Sequence, residues 1–397
     1  MKKVELLAPA GDLTRLKIAI LYGADAVFVG GKQFSLRAKA NNFSLDDLKE
    51  AVIFANKHHA RVHVTVNIVP EEEDFEGLDE YLLALSEIGV HAIIVSSMYV
   101  ILRAKKLGCR FEIHVSTQQS IANYEAINFF KQAKADRVVL ARELNINQIA
   151  NIKKMSPLPI EVFIHGGMCS SFSGRCSLSN VMVNRDANKG GCAHSCRWIY
   201  NLYNNDELIS NDKFIMASCD LMSIDYITKL LDIGVDSFKI EGRMKSIHYI
   251  ASIVSTYRRL IDEYYNKKEI SRNRINYYKK EISKAENRVT YTGFLNPHLK
   301  NQAILTNTGD ENPTQTFIAI VLKKLKDGYL LVEQRNNFKI GDKIECLSSS
   351  GQTIKSKIYD IIDEQDNHID IARHPQQIVK IKINKVLEPN SLIRKMI

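Results

Sequence analysis

The sequence predicts a closed (β/α)8 barrel of the TIM type, with a cysteine-rich insertion after strand seven, followed by a small all-β domain. Three observations predict it. Short apolar, β-branched runs alternate eight times with helical patterns. Polar and glycine-rich residues collect where those runs end. Beyond Asn287 the pattern changes to short alternating segments separated by turn residues.

The strand-like runs are Val4–Ala8, Ala26–Gly30, Arg61–Val66, Ala92–Ser96, Phe111–Thr117, Arg137–Arg142, Glu161–His165 and Ser237–Glu241. Unbroken apolar runs of this length suit a parallel sheet covered on both faces. Between them fall helical patterns at Leu13–Tyr22, Leu45–His58, Phe75–Ile88, Tyr99–Leu107, Ser120–Gln132, Ile146–Lys153 and Ile224–Leu231, with a last one at Ile247–Asn266. Eight such units favour a closed barrel over an open doubly wound sheet. Residues 1–288 are therefore assigned to the barrel, with an insertion at 166–222. Residues 289–315 read as a linker and 316–397 as a small β-barrel domain. Within the insertion, RWIYNLY-NNDE-LIS predicts a hairpin turning at Asn204 and Asn205.

Barrel enzymes build their sites where the strands end. Those positions hold Asn67 after the third run, Gln118 after the fifth, Arg142 and Glu143 after the sixth, His165 on the seventh, and Glu241, Arg243 and Lys245 after the eighth. His165 precedes two glycines at the expected mouth and is a candidate to move a proton or hold substrate. Arg243 is a candidate clamp for a carboxylate or phosphate, because a guanidinium meets either group with two parallel hydrogen bonds. His165, Glu241 and Arg243 are the candidate catalytic set. Asn67, Gln118, Arg142, Glu143 and Lys245 are candidate substrate contacts.

Four of the seven cysteines lie within 28 residues, spaced Cys169-x6-Cys176-x15-Cys192-x3-Cys196, on a loop rich in glycine and serine. Gathered thiols on a polar loop suit a metal or an iron–sulfur cluster, since small residues let the backbone bring each thiolate in from a different side. A structural zinc remains open, although it favours closely paired thiols. The other three cysteines are scattered.

The 397 residues are 45% hydrophobic and 25% charged, with a formal net charge of +9. No run is long enough to cross a membrane, and the N-terminus reads as a strand rather than a signal peptide, so a cytoplasmic protein is expected. From Arg243 to Arg288 twelve Lys/Arg face five Asp/Glu, interleaved with tyrosines. Arg258, Arg259, Lys267, Lys268, Arg272 and Arg274 are candidate RNA contacts, since basic groups neutralise phosphates and tyrosines stack on bases. The alternative is an amphipathic helix whose tyrosines pack inward.

The blocks LLAPAG, GADAVFVGGKQFSLRA, HVSTQ, EVFIHGGMCSSFSGRC, NRDANKGGC, CRW and KIEGRMKS resemble the collagenase-like peptidase family, catalogued as unclassified peptidase family thirty-two. GRCSLSN, NRDANKGGC and CRW look most like its branch of tRNA 5-hydroxyuridine modification proteins. That resemblance implies hydroxylation of the wobble uridine of tRNA, a link to prephenate as a small carboxylate cosubstrate, and a homologous partner subunit. It also implies a 4Fe–4S cluster on the four clustered cysteines. Some members draw the fourth ligand from downstream, which makes Cys219 the rival of Cys196. The runner-up activity is a collagenase-like protease, although no Gly-x-Ser-x-Gly elbow or His-Glu-x-x-His motif is present. A third reading is a non-catalytic RNA-binding or assembly subunit.

Overall fold

The computed structural model describes residues 3–36, 42–286, 288–298, 313–349 and 351–396. Seven parallel strands come first: β1 (Glu5–Pro9), β2 (Ala26–Gly30), β3 (Arg61–Val66), β4 (Ala92–Val95), β5 (Glu112–Val115), β6 (Arg137–Val139) and β7 (Ile160–Gly166). The insertion carries β8 (Tyr200–Asn204), β9 (Glu207–Phe214) and β10 (Asp220–Met222), and β11 (Ser237–Ile240) follows. Strand β11 pairs in parallel with both β1 and β7, so eight parallel strands close into a barrel. Strand β10 runs antiparallel along the end of β7, and β12 (Thr290–Tyr291) pairs with β10. Residues 290–291 therefore belong to the sheet and not to a linker. Residues 299–312 of the expected linker lie outside the described residues.

The helices are α1 (Leu13–Leu21), α2 (Leu45–Lys57), α3 (Leu78–Ile88), α4 (Met98–Lys106), α5 (Tyr124–Gln132), α6 (Ile146–Met155), α7 (Leu178–Val183), α8 (Ile227–Ile233), α9 (Ile247–Lys267) and α10 (Arg272–Ile282). Local chemistry sets their ends. Asp12 caps α1 by accepting the Arg15 N–H at 2.8 Å, and Ser44 with Asp47 forms a capping box on α2. The helix expected from Phe75 starts only at Leu78, because Gly77 takes a left-handed φ of 73° at its N-cap. None of these helices is long and apolar enough to cross a membrane.

One large apolar cluster fills the space between strands and helices. The barrel interior differs. A small cluster of Leu7, Ala26, Phe28 and Ile94 shares it with charge. Glu161 accepts from Lys239 Nζ at 2.9 Å and from Arg137 Nη1 at 3.2 Å, and Arg137 also pairs with Glu5. Sequence periodicity did not foresee an ionic layer where barrels usually pack branched apolar side chains.

The second domain holds β13 (Gln315–Lys324), β14 (Tyr329–Gln334), β15 (Phe338–Lys339), β16 (Lys343–Leu347), β17 (Thr353–Lys357), β18 (Asp360–Ile362), β19 (Ile371–Ala372), β20 (Ile378–Lys382) and β21 (Leu392–Met396). Seven of them form one antiparallel sheet in the order β17-β16-β21-β13-β14-β20-β18, and β15 pairs with β19. The strands share one apolar cluster, and β17 and β18 are two parts of one run, separated only by Ile358 and Tyr359. Because β17 pairs with β16 while β18 pairs with β20, that run closes the sheet into the expected small barrel. It docks on α1, α9 and α10. The Tyr22 hydroxyl donates to the carbonyls of Leu347 and Asn390 at 2.8 and 2.9 Å. Buried Arg394 bonds Glu281 and Glu345, each at 3.2 Å.

Candidate active site

A cavity of about 490 Å³ opens at the C-terminal ends of the barrel strands, where the insertion folds over the mouth. The insertion is fastened on two sides. Lys189 pairs with Glu71 at 3.0 Å and Asp74 at 2.8 Å, in the segment after β3. Beyond β5, Ser120 Oγ donates to the Ser173 carbonyl at 2.8 Å. Gly174 has a φ of 77°, and a side chain there would stand 2.2 Å from the Gln118 carbonyl, so only glycine fits. The hairpin is β8–β9, with its turn at Asn205 and Asp206, one residue later than expected. Both turn residues have positive φ, as a two-residue hairpin turn that matches strand twist requires.

Cys169, Cys176, Cys192 and Cys196 all line this cavity, and all four thiols are free. Burial pushes the Cys196 thiol up, Ser170 and Arg197 oppose that shift, and Cys169 and Cys192 act on it as neighbouring thiols. Cys219 lies elsewhere, buried with Ile215 and Ala217 in a small apolar cluster. Among the described residues no three His, Cys, Asp or Glu side chains are grouped as ligands of a single ion.

Six cationic side chains line the same cavity, namely Arg142, Arg197, Lys239, Arg243, Lys245 and Arg288, against the two carboxylates Glu241 and Glu286. Asn67 and Gln118 line it too. Arg243 is 4% exposed, and its guanidinium donates to Ser35 Oγ at 3.1 Å, Thr65 Oγ1 at 3.2 Å and the Leu36 carbonyl. It braces the segments after β2 and β3, and a side chain on Gly30 would meet its Nη1 at 2.0 Å. Lys245 Nζ donates to the Glu286 carbonyl at 2.8 Å. Glu143 is not among the lining residues, and burial raises its carboxyl.

His165 is placed differently from the expectation. Strict alternation along β7 from Glu161 and Phe163 would point it inward. A register shift sets Ile240 opposite His165, after Lys239 opposite Phe163, so β7 carries one extra residue. Such a bulge turns the following side chain to the other face. His165 is buried against α9, with Nδ1 3.3 Å from the Tyr257 hydroxyl, and does not line the cavity.

The basic stretch pairs with the chain's own acidic residues. Arg258 pairs with Asp25 at 3.0 Å, and the Tyr265 hydroxyl accepts the Val4 N–H at 2.9 Å. Asp25 and Val4 precede β2 and β1, so this part of α9 lies at the opposite end of the barrel. The helix has 21 residues and spans roughly 30 Å. Lys267 and Arg274 pair with Glu263, and Arg272 with Asp225. Arg259 donates to the Tyr277 hydroxyl, and Lys268 lies over the Tyr265 ring. Tyr249, Tyr257, Tyr264 and Tyr278 are buried and offer no stacking face. The amphipathic helix with inward tyrosines is what the chain forms. Arg272→Glu is accordingly expected to leave tRNA affinity within about twofold of wild type, because an exposed ion pair contributes little. Filter binding at low salt checks this, and a steep loss would return RNA to this face.

Three lining residues escaped the sequence reading. Lys239 lies 4.5 Å from the Phe28 ring centre and 5.4 Å from that of Phe163. An ionisable residue inside an apolar strand was the available signal. Arg197 and Arg288 carried none, because only the tertiary fold brings them to the mouth.

An insertion-capped barrel with a thiol-lined mouth and a docked β domain defines the class, and the chain belongs to it by sequence. Residues 11–304 match the model of peptidase family U32 and residues 313–394 that of the U32 C-terminal domain, so the chain is a member of that family. It is 42% identical to the tRNA hydroxylation protein P1 of Bacillus subtilis, covering 99% of this chain and 95% of that one. It is 37% identical to a 23S rRNA 5-hydroxycytidine synthase of Escherichia coli, over 66% of this chain and 39% of that one. A collagenase of Porphyromonas gingivalis is 36% identical over 66% of each chain.

Proposed function

We propose that this protein hydroxylates a tRNA uridine at the wobble position, in the cytoplasm, with an iron–sulfur cluster and a small carboxylate cosubstrate of the prephenate type. The observation that carries the reading is the cavity, where four thiols and six cations meet at the mouth of a chain that is similar over its whole length to a tRNA hydroxylation protein. Cys169, Cys176, Cys192 and Cys196 would hold a 4Fe–4S cluster. The donor set fits, being all sulfur, reduced and approached from several loop segments. When bound, the cluster supplies one-electron chemistry.

The remaining work falls to the chain's own side chains. Phe28 and Phe163 give the cavity an apolar wall, against which Lys239 and Arg142 lie. Asn67 and Gln118 place amides that complement a uracil edge. Lys239 sets its Nζ at the floor, where Glu161 holds it at 2.9 Å. Arg243 holds the rim loops in place, which positions the other groups rather than touching substrate. Met168 and Phe172 add apolar side chains to the same lining.

A strain lacking the protein should lose 5-hydroxyuridine-type nucleosides from its tRNA, as read by nucleoside mass spectrometry. The wild-type gene should restore them. Unchanged nucleosides, together with cleavage of denatured collagen by the pure protein, would replace this reading with the protease.

A further inference from the structure

We propose that the corner of the cavity at Gly167 is an oxyanion subsite, built by Arg142, Arg197 and Arg288 to take a carboxylate or phosphate group. The clamp expected at Arg243 is already engaged by the rim loops, so the anion chemistry falls elsewhere. Arg142 Nη1 donates to the Gly167 carbonyl at 2.8 Å. A methyl group built on Gly167 would stand 3.1 Å from Arg197 Nη2, 3.5 Å from Arg288 Nη2 and 3.8 Å from Asp220 Oδ1. Three guanidiniums from three distant segments therefore converge on one residue that has no side chain. All three arginines and Gly167 line the cavity.

The charges at this corner do not balance. Asp220 pairs with Arg288, and Glu241 and Glu286 are the carboxylates that line the cavity, against its six cations. Arg142 lies over the Phe163 ring at 4.1 Å, which leaves it charged but not ion-paired by that contact. Its Nε and that of Arg288 are buried without an acceptor among the described residues. Crowding like charges in a half-buried corner is costly unless an anion is to be received there. Planar guanidinium forks suit carboxylate and phosphate oxygens, and the cavity beside Gly167 is where such a group would enter. Which oxyanion fills the corner rests on the tRNA reading: the cosubstrate's carboxylate, or a phosphate beside the target nucleotide.

The test uses Trp198, the sole tryptophan, which follows Arg197 in the chain and is exposed. Iron-loaded protein is titrated with malonate, inorganic phosphate and a short uridine-containing single-stranded RNA. Binding is followed by Trp198 emission and by calorimetry. Malonate or phosphate should bind saturably. Arg197→Lys and Arg288→Lys keep a cation but lose the fork, and should weaken that binding about ten- to a hundredfold. Arg272→Glu, whose partner Asp225 is outside the cavity lining, should not. A carboxylate occupant predicts that malonate and RNA bind together, whereas a phosphate occupant predicts that they compete. Absence of saturable binding by either anion, by both methods, overturns the proposal. So does unchanged anion affinity in the two lysine variants. If those variants shift only the visible absorption of the cluster, the arginines neutralise the cluster and the subsite is refuted. Anion binding retained alongside intact tRNA hydroxylation in the deletion strain would sink the tRNA reading and leave the subsite standing.

Discussion

Alanine at any one of Cys169, Cys176, Cys192 or Cys196 is expected to strip iron from anaerobically purified protein. It should also bring tRNA hydroxylation down to the level of a strain lacking the gene. The four thiols line one cavity, and a cluster missing one thiolate has lost one of its four bonds to the protein. The wild type should carry iron and sulfide in near-equal amounts. Cys109→Ala and Cys346→Ala should keep both, since Cys109 packs against the Leu82 carbonyl at 3.7 Å and Cys346 lies in the core of the β domain. Cys219→Ser is the informative control. Retention of iron there, with loss in Cys196→Ser, assigns the fourth ligand to Cys196, and the reverse pattern assigns it to Cys219. Stoichiometric zinc without iron, in protein made under iron-replete anaerobic conditions, would defeat the cluster.

Glu161→Ala is expected to be the most destabilising single change in the barrel, by about 3–5 kcal/mol, because it leaves Lys239 and Arg137 buried without their shared carboxylate. Denaturant unfolding would read this directly, and a loss below about 1 kcal/mol would show that water reaches the cations. The acid limb of stability follows from the same network. Burial opposes ionisation of Glu161, but Lys239 and Arg137 outweigh it and hold the carboxyl at about 2, against an ordinary 4.5. A depressed carboxylate contributes stability above its unfolded value, and that stability is lost as pH falls from about 4.5 toward 2. Nearby His63 is held down at about 3, chiefly by burial. Its folded form resists the proton that the unfolded chain takes up near 6.5, so its share is lost earlier, as pH falls from 6.5 toward 3. Glu161→Gln should therefore flatten the profile below about 4.5 while leaving the decline that begins near 6.5.

By itself the sequence determined the eight-strand order, the helices between the strands, the insertion and the separate β domain. These follow from local periodicity, from caps such as Asp12 and Ser44, and from breaks such as Gly77, all readable within a few residues. The four thiols were legible for the same reason, as a short-range cluster on a loop that small residues keep pliable. Asn67, Gln118, Arg142, Glu241, Arg243 and Lys245 were placed at the mouth because strand ends in a barrel share one rim. The tertiary structure alone decided which of these face the cavity and with what charge. One extra residue in β7 turned His165 out toward α9, although its neighbours gave every sign of pointing in. The tyrosines of α9 went inward, and Arg258 of α9 and Arg272 of α10 met Asp25 and Asp225 from distant segments. Arg137 met Glu5 across 132 residues and Lys239 met Glu161 across 78. Arg197 and Arg288 reached Gly167 only once the insertion had folded back over the barrel. Periodicity is a property of neighbours along the chain, whereas a site depends on barrel closure and on the register of strands far apart in sequence.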